Sequence, residues 1–263
     1  MTPSPSAGQS ARVAAVAGEF AASWAAIAGD RGWWPDRRQV ELDRILRDAG
    51  SIGAAVARDD YVRLLHRSLN SWKAFRGASI GDDRLAGVLR DAAPTLDRLR
   101  GTNIASLRIS GVPGMFEAFD ALRDLRPSKR KWVATSKTLH HLLPGLVVPM
   151  DNVITAPFLG RSSLPDLFDA QFLTDAYAAF LELRDALGVG RLRAAARDVP
   201  FPVPGARPTE CRIGLARAVD FAIAGYVIRR GGRALREAGY PAGGNNHSPP
   251  DGGASVELIT PSS

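Results

Sequence analysis

A single cysteine, Cys211, stands in the 263-residue chain, which excludes an internal disulfide framework and leaves packing to hold the fold. Set beside Arg212 at the start of an apolar helical pattern, it reads as a small buried hydrophobe. Long hydrophobic runs are missing too. The greasiest stretch, CRIGLARAVDFAIAGYVI at 211–228, is broken by two arginines and an aspartate, so no membrane span is expected. The opening MTPSPSAGQSARVAAVAGEF lacks the basic start, apolar run and cleavage site of a secretory signal, which points to a cytoplasmic protein. Strand signals are scarce: LVV at 146–148 and VELI at 256–259 are too short and isolated to build a sheet. The H-E-x-x-H spacing of a zinc helix is absent, and the adjacent His140 and His141 point about 100° apart on a helix. No metal and no cofactor are therefore expected.

What the chain does have is apolar material, 45% of its residues, enough to fill a sizeable core. Its 34 lysines and arginines against 27 acids leave a net charge of +7. Such a surplus permits attraction to polyanions, although arginines scattered through alanine-rich helices also fit a coding bias.

Helical spacing dominates the rest. Val13, Val16, Phe20, Trp24 and Ile27 draw one stripe on a helix over 11–28. Gly29, Gly32 and Pro35 interrupt it, and Asp36 is placed to cap a second helix through Asp48. Further helices are predicted over 51–75, 82–99, 115–125, 164–187, 191–197 and 209–229, with Leu167 counted on the inward side of the 164–187 helix. VPFPVPGARP at 199–208 reads as a rigid connector. The expected fold class is all-α: a globular multi-helix domain over 11–232, centred on 60–160, with a disordered leader at 1–10 and a disordered tail at 233–263.

The densest chemistry lies in KWVATSKTLHHLLPGLVVPMD at 131–151. On a helix capped by Ser128, Trp132, Ser136, Leu139 and Leu143 share the buried side, while Lys137, His140 and His141 neighbour one another on the adjoining face. That cluster can be read as nucleophile and acid–base groups, or as one core histidine and one solvated one. Asp151, just past Pro149, is set either to cap the next helix or to aim a carboxylate into a cleft. Arg123, Arg126, Lys129, Arg130 and Lys131 crowd the start of the helix, where cations oppose its dipole unless an anion is bound.

ATSKTLHHLLPGLVVPMDNVIT, together with YVRLLHRSLNSWKAFRGASI, resembles a group of uncharacterised prokaryotic all-helical proteins over about residues 60–160. More remotely, SKTLHHLLPGLVVPMDNVI is similar to the segment of helix-hairpin-helix DNA glycosylases that leads through an apolar stretch and a proline to the catalytic aspartate. This resemblance implies a helix-hairpin-helix-like centre, with Asp151 as that aspartate and Lys137 near the lysine of bifunctional members. The chain departs from the pattern at SKRKWVATS, which has no glycine where those enzymes carry a phosphate-gripping hairpin.

The leading expectation is a protein that binds DNA or another nucleic acid through Arg126, Lys129, Arg130 and Lys131, any catalysis resting on Asp151, Lys137 and His140. The alternative is a non-catalytic helical module that docks a protein partner. A third reading is a small-molecule enzyme using a buried Lys137. Whether the chain is an enzyme stays open at this point.

Overall fold

The computed structural model describes residues 7–75, 80–125 and 131–237, with side chains through 231. Arg126, Lys129 and Arg130 of the expected basic face, the expected cap Ser128, and residues 238–263 lie outside the described residues. Every regular element among the described residues is helical. The twelve α-helices are α1 (Ala7–Gly18), α2 (Phe20–Ala28), α3 (Arg37–Ala49), α4 (Ile52–Val56), α5 (Asp59–Ser71), α6 (Asp82–Leu99), α7 (Val112–Ala121), α8 (Lys131–Leu142), α9 (Thr155–Phe158), α10 (Ala170–Leu187), α11 (Val189–Arg197) and α12 (Leu215–Glu237).

Several boundaries follow local chemistry. The Asp36 carboxylate accepts the Gln39 amide at 2.9 Å and starts α3, as its sequence position suggests. The glycine after α3, Gly50, takes φ +75° and closes it. The sequence spacing also places α6 correctly. Other expectations need correction. The helix predicted over 11–28 begins at Ala7 and is two rods meeting at 66° around Glu19, because α1 packs on α10 while α2 packs on α12. The region predicted as one helix from Ser51 splits at Ala57 and Arg58. The Asp97 carboxylate, from α6, takes the Ile52 and Gly53 amides at the start of α4 at 2.6 and 3.1 Å, and after the split Asp59 and Asp60 begin α5 with charges that suit its dipole. The helix predicted from Leu164 starts only at Ala170, capped by Asp169, and Leu167 is 71% exposed instead of inward.

One apolar core joins these helices. The two ends of the described chain meet: α2 crosses α12, and α1 lies on α10. No single helix among the described residues is long and apolar enough to cross a membrane. At the crossing Gly225 comes so close to α2 that a Cβ built on it would lie 1.9 Å from the Ser23 carbonyl oxygen.

The helix α8 contradicts the amphipathic picture. Its residues Trp132, Ala134, Thr135, Ser136, Thr138 and Leu139 through Leu142 are all buried, so it is an interior rod. Its polar side chains find partners inside. The Ser136 hydroxyl donates to the Met150 carbonyl at 3.3 Å and accepts the Met150 amide at 2.9 Å, which ties the extended 147–150 segment to the rod. The Trp132 indole donates to the Leu167 carbonyl at 2.9 Å.

Gly225→Ala is expected to lower stability by about 2–3 kcal/mol, since two backbones must separate to admit one methyl. Gly87→Ala, in α6 with nothing within 4 Å of the added carbon, should instead gain about 0.5–1 kcal/mol from helix propensity. Urea denaturation of the two variants checks both signs.

Candidate functional site

From Leu215 to Ile228 the helix α12 carries only two charged residues, Arg217 and Asp220, three residues apart and therefore on one face. Both are interior, with side chains 13% and 8% exposed, and Arg217 Nη1 donates to Asp220 Oδ2. The guanidinium lies over three rings: Trp72 at 4.7 Å, Phe221 at 5.0 Å and Trp33 at 5.7 Å. Its Nη2 donates to the Trp33 carbonyl at 3.3 Å. Burial lowers the Arg217 pKa, opposed by the charges of Asp220 and Asp151. Burial also pushes the Asp220 carboxyl up to about 6, against the pull of Arg217.

The sequence-predicted residues surround this pair. Lys137 Nζ donates to the Trp72 carbonyl at 2.7 Å and exerts its charge on Asp220. Trp72 owes its position to the end of α5, where Lys73 adopts φ +54° and the Ala74 amide turns back to the Leu69 carbonyl. His140 Nδ1 sits 2.6 Å from the Val147 carbonyl, an oxygen that can only accept, so Nδ1 carries the proton and Nε2 keeps a lone pair. Burial, helped by the Arg217 charge, holds the His140 pKa down at about 3. His141 is buried as well, its Nε2 3.3 Å from the Ser68 hydroxyl, and burial pushes its pKa well below the ordinary value. Neither ring is solvated, which corrects the reading that put one of them in water.

Asp151 braces the turn that leads into α9 and is not its cap, a position held by Ile154. Its Oδ1 accepts the Val153 and Ile154 amides at 2.9 and 2.6 Å, and its own amide donates to Thr155 Oγ1. It remains half-buried within electrostatic reach of Arg217 and Asp220.

A cavity of about 360 Å³ opens beside the pair. The 31–35 turn contributes Arg31, Trp33 and Trp34; α3 contributes Gln39 and Asp43; Trp72, His140, Arg212 and Arg217 complete the walls. Gln39 and Asp43 are one helical turn apart, and Gln39 Nε2 donates to Asp43 Oδ1 at 3.0 Å. Gln39 is 8% exposed and its Oε1 has no partner. Burial pushes the Asp43 carboxyl up to about 6, against the Gln39 hydrogen bond and the Arg47 charge.

The 199–214 loop, which supplies Arg212, Ile213 and Gly214 to the cavity wall, is tied to α3. Glu210, buried at 8% exposure, holds Arg207 of the loop and Arg44 and Arg47 of α3 at 3.1, 3.4 and 3.2 Å. Beneath it Val40, Val203 and Cys211 form a small separate core, with Cys211 buried as expected but ahead of the helix instead of inside it.

Of the three residues proposed for catalysis, only His140 lines this cavity; Lys137 and Asp151 do not line it and act on the ion pair through their charges. Lys131, the described member of the expected basic face, starts α8, nine residues and about 14 Å from His140. Lys131 and the cavity therefore sit at opposite ends of one helix. Arg217, Asp220, Gln39, Asp43 and Trp33 were missed by sequence reasoning. The signal for the first two was present: an R-x-x-D pair written into an otherwise apolar helix, read only as evidence against a membrane span.

Among the described residues no group of three or more His, Cys, Asp or Glu is placed to hold a metal ion. Comparison with known proteins finds no match among family models, curated proteins or solved structures. The site therefore has to be read from its own geometry.

Two outcomes test the electrostatics. Because the Asp43 pKa rises from 3.8 to about 6 on folding, its contribution is most favourable below pH 4 and is lost as pH rises through 6. Asp43→Asn should therefore be more stable than the parent at pH 7, by about 1–2 kcal/mol, with the difference vanishing below pH 4 in urea melts at both pH values. Arg217→Met leaves Asp220 buried without its partner and should cost about 3–5 kcal/mol, much of it recovered in Arg217→Met/Asp220→Leu.

Proposed function

We propose that the cavity between α3, α8 and α12 binds a small anionic ligand with a flat aromatic body, the combination that a nucleotide carries. The observation that carries this reading is the Arg217 guanidinium, held at the cavity wall against Trp72 and Trp33 and fixed there by Asp220. Arg31, Arg38 and Arg212 also line the cavity, against only Asp36 and Asp43. The charge balance is positive, and a guanidinium fork matches phosphate or carboxylate. The indole of Trp72, the imidazole of His140 stacked on it at 5.7 Å, and Trp33 supply π-faces for a ring. Gln39, Asp43 and the His140 Nε2 lone pair give polar edges from which such a ring can be oriented.

This reading keeps the expected nucleic-acid chemistry and moves its centre to the far end of α8. No particular observation favours the protein-docking alternative: Leu167 is the one large apolar side chain that stands exposed among the described residues. Catalysis is not part of the proposal, because Lys137 and Asp151 stand outside the cavity.

Titration of tryptophan fluorescence with adenosine monophosphate at low salt is expected to give saturable quenching. Arg212→Gln, an exposed rim change, should weaken binding several-fold, and Lys131→Ala should leave it unaltered. Equal binding of adenosine without its phosphate, or no quenching by any nucleoside monophosphate, would refute the reading.

A further inference from the structure

A second, more open hollow of about 310 Å³ adjoins the cavity, and the two share Arg212 and Ile213 in their walls. Arg193 and Arg197 of α11 line it with Arg212, and its walls contain no carboxylate. The two α11 arginines are four residues apart, so they stand on one helical face about 6 Å from each other along the axis. All three side chains are exposed, and none forms a salt bridge with another described residue. Other arginines of this protein also stand without a carboxylate, but these three share one hollow that is continuous with an aromatic cavity, an arrangement that concentrates positive charge where an anion can reach it.

Resting on the reading of the cavity as a nucleotide site, we propose that the hollow is a phosphate track for single-stranded nucleic acid, one base of which enters the cavity. A mononucleotide would use the cavity and its mouth alone and leave Arg193 and Arg197 idle. A strand uses both, since successive phosphates follow the arginines while the base between them turns inward onto Trp72 and Trp33. A duplex is the poorer occupant, because its bases are already stacked and paired and one would have to be pulled out at a cost of a few kcal/mol. An acidic peptide would match the arginines and leave the aromatic walls without a counterpart. The combination of an electrostatic track and stacking faces is the general solution for single strands.

The test uses the full chain and five probes: fluorescein-labelled ten-residue DNA and RNA single strands, the matching DNA duplex, adenosine monophosphate and adenosine triphosphate. At least one single strand is expected to bind ten-fold or more tighter than the monophosphate, and tighter than the duplex. The logarithm of its affinity should fall against the logarithm of salt with a slope of about −2, the value for three phosphates on a single strand. Arg193→Gln/Arg197→Gln should reduce strand affinity to near that of the monophosphate and make the slope shallower by about 1.4, while monophosphate binding persists. Unchanged strand binding in that double variant would overturn the inference, as would a triphosphate or duplex that binds as well as the strand. If the monophosphate binds and no strand binds more tightly, the track fails and the cavity reading stands. If the monophosphate does not bind at all, the cavity reading fails and the entry of a base fails with it.

Discussion

The arrangement around the cavity depends on one buried ion pair, Arg217 with Asp220, and on the rings that enclose it. Taking two charges out of water is expensive, and attraction between them returns the cost only when geometry and extra hydrogen bonds are good. Here the guanidinium also reaches the Trp33 carbonyl and lies against Trp72, so a single side chain joins α12, the 31–35 turn and the end of α5. Apolar residues of similar volume could fill that space with less electrostatic expense. The pair also presents a cation at a cavity wall in a fixed orientation, which no apolar filling can do.

Behind the pair, α8 carries polar groups through the core without leaving them charged. His140 and His141 are both kept neutral by burial and by the cations of Arg217 and Lys137. Fixing the His140 proton on Nδ1 by the Val147 carbonyl determines which nitrogen faces outward, and it does so through the same 147–150 segment that Ser136 anchors. The turn through Pro144 to Pro149 thus sets the acid–base character of a cavity residue, although none of its own side chains is acidic or basic.

Local signals in the sequence were reliable where a helix end is decided by neighbours along the chain. Asp36, Asp151 and Gly50 act through residues two to four positions away, and the cap at Asp36 was readable for that reason, as was a local backbone role for Asp151, although it falls on the turn before α9. The breaks at Glu19 and Arg58 were not: the first lets two short rods face different partners, α10 and α12, and the second lets α4 and α5 both turn against α6. The cavity was invisible for the same reason. Its walls come from residues near 33, 39, 72, 140 and 217, and no window of sequence contains two of its three main sides. His140 was found because it lies in a conspicuous motif. Arg217 was overlooked because a lone arginine in an alanine-rich chain looks like composition, and only its i, i+3 aspartate distinguishes it.

Glu210 gives the loop that carries Arg212 to the cavity its particular sensitivity. Its carboxyl is held down at about 2, chiefly by its hydrogen bonds to the Arg207 side chain and backbone, so no physiological acidification releases the loop. The arginines gripping it are another matter: their side chains are 40–77% exposed, and contacts of that kind weaken as mobile ions accumulate. The loop's attachment to α3 is therefore buffered against protons and answerable to ionic strength, so brine would relax this tether and shield an incoming anion in the same step.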